Sequence, residues 1–133
     1  MNALETAIYN KLAGGTALTT LLGGTIIYNK QPPDTAVLPW VQISQASGLE
    51  DNSTPRREQD YVYLIKGVAS TLLLAGSLAD AIDTLMHGTE LTVTGYSNFW
   101  TARERMVRYQ EVDAAGHTYG HAGGEYSVRL VAG

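Results

Sequence analysis

The sequence predicts an α+β domain: a mixed, mainly antiparallel sheet with N-terminal helices and one central helix packed on it. Three observations carry that prediction. Gln59 to Tyr96 reads strand, helix, strand, as QDYVYLIKGVA, STLLLAGSLADAIDTLMHG and TELTVTGY. Two short leucine-bearing helical patterns precede this unit, each closed by a Gly-Gly pair. Further stretches with a period of two stand on both sides of it, so strands are grouped around the helices rather than alternating with them one for one.

The central helix is the clearest element. Leu74, Leu78, Ile82 and Leu85 recur at spacings of four, four and three and share one face, widened by Ala75, Ala81 and Met86. Ser77, Asp80, Asp83 and Thr84 fall on the other side. Ser70 or Thr71 supplies a side-chain oxygen to cap the first turn. Gly88 suits the left-handed residue that ends a helix, and His87 stands where a cation would meet the negative end of the helix dipole.

The preceding strand is apolar on both faces, with Val62, Leu64 and Val68 on one and Tyr61, Tyr63 and Ile65 on the other. A strand with one wet face alternates more cleanly. It is therefore either central and covered twice, or one of its faces meets another subunit.

In chain order, Asn2 and Glu5 have capping-box spacing, and Leu4, Ile8 and Leu12 form a short amphipathic helix that ends at Gly14-Gly15. Thr16 can cap a second helix in which Leu18, Leu21 and Leu22 pack inward before Gly23-Gly24. Thr25 to Asn29 reads as a short strand, and QPPDTAVLP as an extended link fixed by its prolines. Trp40 to Gln45 is a strand with Val41 and Ile43 opposed to Gln42 and Ser44. Ala46 to Gln59 is the most polar stretch and reads as an exposed loop. Leu91 to Tyr96 reads as a strand, Ser97 to Arg103 as a polar-aromatic connection, and Arg105 to Val112 as a strand. Asp113 to Gly124 reads as a glycine-rich turn region, and Glu125 to Val131 as the last strand, paired with its predecessor in a hairpin.

Composition narrows the function. The 133 residues suit a single domain, 1–133, with a proper core. Charged residues make up 17%, below the usual quarter, which hints at surface given over to subunit contacts. A net charge of −4 argues against a nucleic-acid binder of sequence-specific or general kind, which needs a basic stripe. The chain has no cysteine, so disulfide and thiolate chemistry are out. No apolar run reaches membrane-spanning length, and the N-terminus lacks the basic-then-apolar layout of a signal peptide, so no membrane partner is expected.

No catalytic constellation emerges, and no cofactor is implied. His117 and His121 have H-x-x-x-H spacing, with Glu125 nearby, but glycines flank them and argue against the helix such a metal pair needs. Asp80 and Asp83 share the polar side of one helix, and Glu50, Asp51, Glu58 and Asp60 flank a loop. Neither set holds two acids across a cleft. The Gly-Gly pairs match no phosphate-loop form. The tyrosine-rich aromatic set, eight Tyr against one Phe, suits surfaces with one apolar and one polar side.

The opening LETAIYNKLAGGTALTTLLGGTIIYNKQPP and the following LPWVQI resemble the start of the small tail-completion or tail-terminator proteins of long-tailed bacteriophages and prophages. The likeness rests on the order of a helix, a Leu-rich turn, Gly23-Gly24, Ile27-Tyr28, Pro32-Pro33 and Leu38 to Val41. It continues through LADAIDTLMHGTELTV and the closing EYSVRLVA, covering nearly the whole chain. The resemblance implies a mixed sheet flanked by helices and a structural virion protein, not an enzyme. It further implies a ring of six copies on the end of the tail tube, which stops tube polymerisation and meets the head connector or neck proteins. Its partners would be itself and the tail-tube protein, and its place the virion tail, after assembly in the host cytoplasm. The expected contact loops are Ala46 to Gln59 and Ala114 to Gly124. The expected contact residues are Arg56, Arg57, Tyr61, Tyr63, Trp100, Arg103 and Tyr119. The competing expectation is a small ferredoxin-like binding module, or a metal-dependent enzyme using His117 and His121, which would need a pocket of convergent polar groups.

Overall fold

The computed structural model describes residues 2–29, 31–51 and 58–132, with the side chains at 49–51, 99 and 100 left aside. The chain runs α1 (Asn2–Ala13), α2 (Thr16–Leu22), β1 (Ile27–Tyr28), β2 (Trp40–Asp51), β3 (Glu58–Ala69), α3 (Leu72–Met86), β4 (Tyr96–Val112) and β5 (Thr118–Ala132). Five strands form one sheet in the order β1-β2-β3-β5-β4. β1 lies parallel to β2, and the other pairings are antiparallel. This is the expected mixed, mainly antiparallel α+β architecture.

The helices follow their apolar spacing. Leu4, Ile8 and Leu12 of α1 are fully buried, and Glu5 accepts a hydrogen bond from the Tyr63 hydroxyl at 3.4 Å. In α2 the cap position is Gly15 rather than Thr16, and Leu18 and Leu22 turn inward while Leu21 stays partly exposed. Leu21, three residues after Leu18 and next to Leu22, stands at the rim of the buried stripe rather than at its centre. Gly23 closes it in the left-handed conformation, φ 77°. In α3 the Thr71 hydroxyl accepts the Leu74 N–H at 3.1 Å, as the capping pattern predicts. Gly88, one residue past the C-cap, has φ 71°. At the end of α3, His87 Nδ1 accepts the backbone N–H of Arg103 at 3.0 Å.

Strand register sorts the sheet into two faces. Tyr63, Ile65 and Gly67 of β3 share a face with Gln45, Ile43 and Val41 of β2 and with Tyr126, Gly124 and Ala122 of β5. The helices cover this face. The Tyr126 hydroxyl donates to Asp83 of α3 at 2.9 Å, and burial together with that carboxylate pushes its pKa up. Glycine permits the close approach of α3. A Cβ on Gly120 would lie 2.7 Å from the Thr71 carbonyl oxygen, and one on Gly67 would lie 2.5 Å from the Leu78 Cβ. Val62, Leu64 and Lys66 lie on the opposite face, which carries no helix among the described residues, and they are only half-buried. Val68, on the same face, is fully buried in line with Trp40 and His121, so this face of the central strand is covered at one end and open at the other.

Four segments depart from the sequence reading. Leu91 to Tyr96 is not a sheet strand. Leu91 and Val93 alternate because both plug the core, and the chain then turns at Gly95, φ 84°, with Tyr96 N–H bonded to the Val93 carbonyl at 3.0 Å. Ser97 to Arg103 is not a connection but the first half of β4. Bulges between Asn98 and Trp100 and between Arg103 and Arg105 obscure its period of two. The buried Asn98 carboxamide anchors the first bulge: its oxygen accepts the Leu91 N–H (2.8 Å) and the Thr101 hydroxyl (3.0 Å), and its nitrogen donates to the Arg129 carbonyl (3.1 Å). Within Asp113 to Gly124 the turn ends before Thr118, and Gly120, Gly123 and Gly124 lie in β5. The polar stretch Ala46 to Gln59 is likewise strand at both ends, to Asp51 and from Glu58, with a bulge between Gln45 and Ser47.

Candidate assembly surface

The bare face gathers aromatic and charged side chains where β2, β3, β5 and β4 lie side by side. Register aligns Trp40, Val68, His121 and Tyr109 across the four strands. The Tyr109 ring stacks on the His121 ring, with centroids 4.4 Å apart and planes 8° from parallel. Lys66 Nζ donates to the Tyr109 hydroxyl at 2.9 Å. His121 Nε2 lies 2.6 Å from Glu111 Oε1. A carboxylate only accepts, so Nε2 carries the proton, and the buried Nδ1 has no partner among the described residues. Burial, then the nearby Lys66 charge, lowers the His121 pKa against the opposing pull of Glu111. Trp40 packs near Tyr28 and Tyr119, each at a centroid distance of 6.4 Å. The proline link crosses beside this cluster and leaves a cavity of about 350 Å³, walled by Pro32, Pro33, Trp40, Lys66 and Tyr119 among others.

The second feature is the free edge of β4. Its first half is covered. The Thr101 carbonyl accepts the Gly88 N–H at 2.8 Å, and the Arg103 N–H is taken by His87. From Arg105 to Val112 the strand runs without a bulge, and among the described residues no backbone hydrogen bond meets its outer side. Met106 is 72% exposed, Val112 64% and Tyr109 42%.

The expected contact residues fall in different places. Arg56 and Arg57 lie outside the described residues. Tyr63 is fully buried under α1, its hydroxyl within reach of Glu5 and Gln45, and burial raises its pKa; it presents no surface to a partner. Arg103 pairs with Asp83 at 3.5 Å on the helix-bearing face. Tyr61 is half-buried and donates to Gln59 at 3.0 Å. Trp100 of β4 pairs in register with Arg129 of β5. Tyr119 sits on the bare face beside Trp40.

His117 and His121 are not brought to one centre. His117 Nδ1 meets Asp113 at 3.2 Å in the β4–β5 turn, while His121 faces Glu111. Glu125 lies four residues further along β5, paired with Arg105. Asp113 also accepts the N–H groups of His117 and Ala115, which hold its pKa low.

Sequence reasoning missed Trp40, Lys66, Tyr109 and Met106. The alternation of Val107 and Tyr109 was a signal for a strand, but only the pairing order shows that the strand is an edge.

A family model described as tail completion protein gp17 matches residues 6–128. Twelve chains of solved structures match as well. One of them, from a structure titled "Virion of native gene transfer agent (GTA) particle", has a TM-score of 0.81 at 17% identity, covering 98% of this chain and 96% of that one. No curated protein matches. At that identity the structural likeness speaks for the fold alone, and the family match carries the function. The family is one of structural phage tail proteins, not of enzymes. With residues 6–128 matched end to end, this chain belongs to the tail completion protein gp17 family.

Proposed function

We propose that this protein forms a ring, six copies around, on the end of a phage tail tube, where it ends tube polymerisation and offers a surface to the head connector or neck proteins. The tail-completion match over nearly the whole chain is the observation that carries this reading. The structure supports it with a one-sided sheet: helices bury one face, and the other face and the second half of β4 are left for contacts. A ring joins two different patches of neighbouring copies, and such contacts need surface that the subunit's own core does not use. Trp100 and Tyr119, with Arg56 and Arg57, are the proposed contacts, together with Tyr61, half-buried at the margin of the helix-bearing face; Tyr63 and Arg103 serve within the subunit. Assembly would take place in the host cytoplasm before the protein enters the virion.

The test mixes purified protein with tail-tube subunits during tube growth and images the products by negative stain. Tubes of reduced length with a ring at one end are expected. Tubes that grow as long with the protein as without it, and with bare ends, would refute the reading.

A further inference from the structure

We infer that the free protein pairs with a second copy of itself through the open edge of β4, antiparallel about a two-fold axis at Tyr109. The inference does not rest on the proposed ring. Exposed edge strands are templates for another strand, and native sheets usually cover, shorten or interrupt them. Here the cover stops at Arg103, where His87 and Gly88 leave the edge. The eight residues Arg105 to Val112 that follow contain no bulge and no proline. Three of the six large exposed apolar side chains among the described residues, Met106, Tyr109 and Val112, lie within this stretch.

The occupant follows from register. A two-fold axis through the sheet at Tyr109 sets Tyr109 against its own copy on the bare face. It sets Met106 against Val112, twice, on the helix-bearing face. Arg105 then lies opposite Asp113 of the second copy, one residue past the strand end, and diagonal to its Glu111. Directly opposed apolar and opposite-charge pairs stabilise antiparallel strands. The neighbouring registers are worse: an axis at Arg108 opposes two guanidinium groups, and an axis at Gln110 puts Arg108 against Val112 and Tyr109 against Glu111. The only like pair left by the Tyr109 axis is Arg108 with its copy, and that contact is diagonal. Such a pair uses the same patch on both copies and closes on itself. It is a species of the free protein, separate from a ring whose contacts join unlike patches.

The chain has no cysteine, so the register can be read by cross-linking. Tyr109→Cys would place two thiols on the axis, opposite each other at about 4.5–5.5 Å between Cα atoms, within disulfide reach. Val107→Cys would place them four residues apart, about 14 Å, out of reach. Mild oxidation is expected to link the first variant into a dimer and leave the second a monomer.

Light scattering of the unmodified protein over a concentration series keeps the test independent of any cost of replacing Tyr109. A rise to twice the monomer mass is expected, with the midpoint shifted at least about tenfold upward by Met106→Lys, whose side chain lies outside the core. A wild-type monomer at every concentration, or Val107→Cys cross-linking as readily as Tyr109→Cys, would overturn the inference.

Discussion

Replacing Gly120 with alanine tests whether glycine in β5 is there to let α3 approach. The added Cβ would meet backbone rather than movable side chain: the Thr71 carbonyl oxygen at 2.7 Å, its carbon at 2.8 Å and the Leu72 nitrogen at 2.9 Å. Ordinary contact begins at 3.4 Å, so the first turn of α3 must lift by about 0.7 Å. That movement pulls on the Thr71 cap of Leu74 and on the Ala75 bond to the Thr71 carbonyl, each 3.1 Å long. Overpacking costs about 1–3 kcal/mol, and loss of the cap about 1 kcal/mol. Alanine returns about 0.4–1 kcal/mol by restricting the unfolded chain. The net expectation is a loss of about 1–3 kcal/mol, or roughly 4–12 °C in Tm for a domain of this size.

Gly48→Ala is the matched control. Its nearest neighbours are the Gln45 side-chain nitrogen at 2.9 Å and the Tyr61 ring at 3.1 Å, both able to move, so its change should stay within about 0.5 kcal/mol. Urea unfolding at constant m-value separates the two. A Gly120→Ala protein as stable as Gly48→Ala would refute the close-approach argument.

Two further predictions concern caps and pH. Thr71→Ala should cost about 1 kcal/mol, seen as a lower urea midpoint with unchanged m, because the Leu74 N–H loses its acceptor. His121 should make the fold acid-sensitive. Its folded pKa is lowered below 6.5, so its contribution is present above 6.5 and is lost as pH falls from there through the folded value. The groups facing it are Lys66, Tyr109 and Glu111, and protonation would add a second positive charge beside Lys66 and a buried Nδ1–H without an acceptor. Urea midpoints compared at pH 7 and pH 5 should fall less in His121→Phe than in the parent chain. Asp113, whose pKa is also lowered, acts in a separate window below 3.8, so it does not confuse the comparison.

Much of the helical layer was legible because its signals are local. Leu74, Leu78 and Ile82 fix their face by spacing alone, and Thr71 and Gly88 bracket α3 by conformational preference. The second half of the chain was less legible, because there the same residue types serve different ends. Leu91 and Val93 alternate like a strand but fill a plug before a turn. The glycines at 120, 123 and 124 look like a loop but lie in a strand, where the start of α3, β3 and β4 in turn approach too closely for a side chain. Asn98 and the bulges beside it break the alternation of β4 while buried hydrogen bonds hold the strand together. The bare-face cluster joins residues 40, 66, 109 and 121, and no pattern within any one segment announces it.

Over Val62 to Lys66 the two faces of the sheet differ in burial, which separates changes that act on the core from changes that would act on the proposed contacts. In β3, Tyr63 and Ile65 are fully buried beneath the helices, while Val62, Leu64 and Lys66, one step away, are half-buried on the bare side. A change at Ile65 therefore acts on the core, where a truncation to alanine costs on the order of 2–5 kcal/mol. A polar change at Leu64 or Met106 leaves that core in place and acts on whatever meets the bare face or the β4 edge. Loss of assembly without loss of stability is thus the signature to seek at Met106 and Tyr119, and loss of both together the signature at Tyr63 and Tyr126. For Arg103 the same reasoning gives the second outcome, because its guanidinium is tied to Asp83, which also receives the Tyr126 hydroxyl.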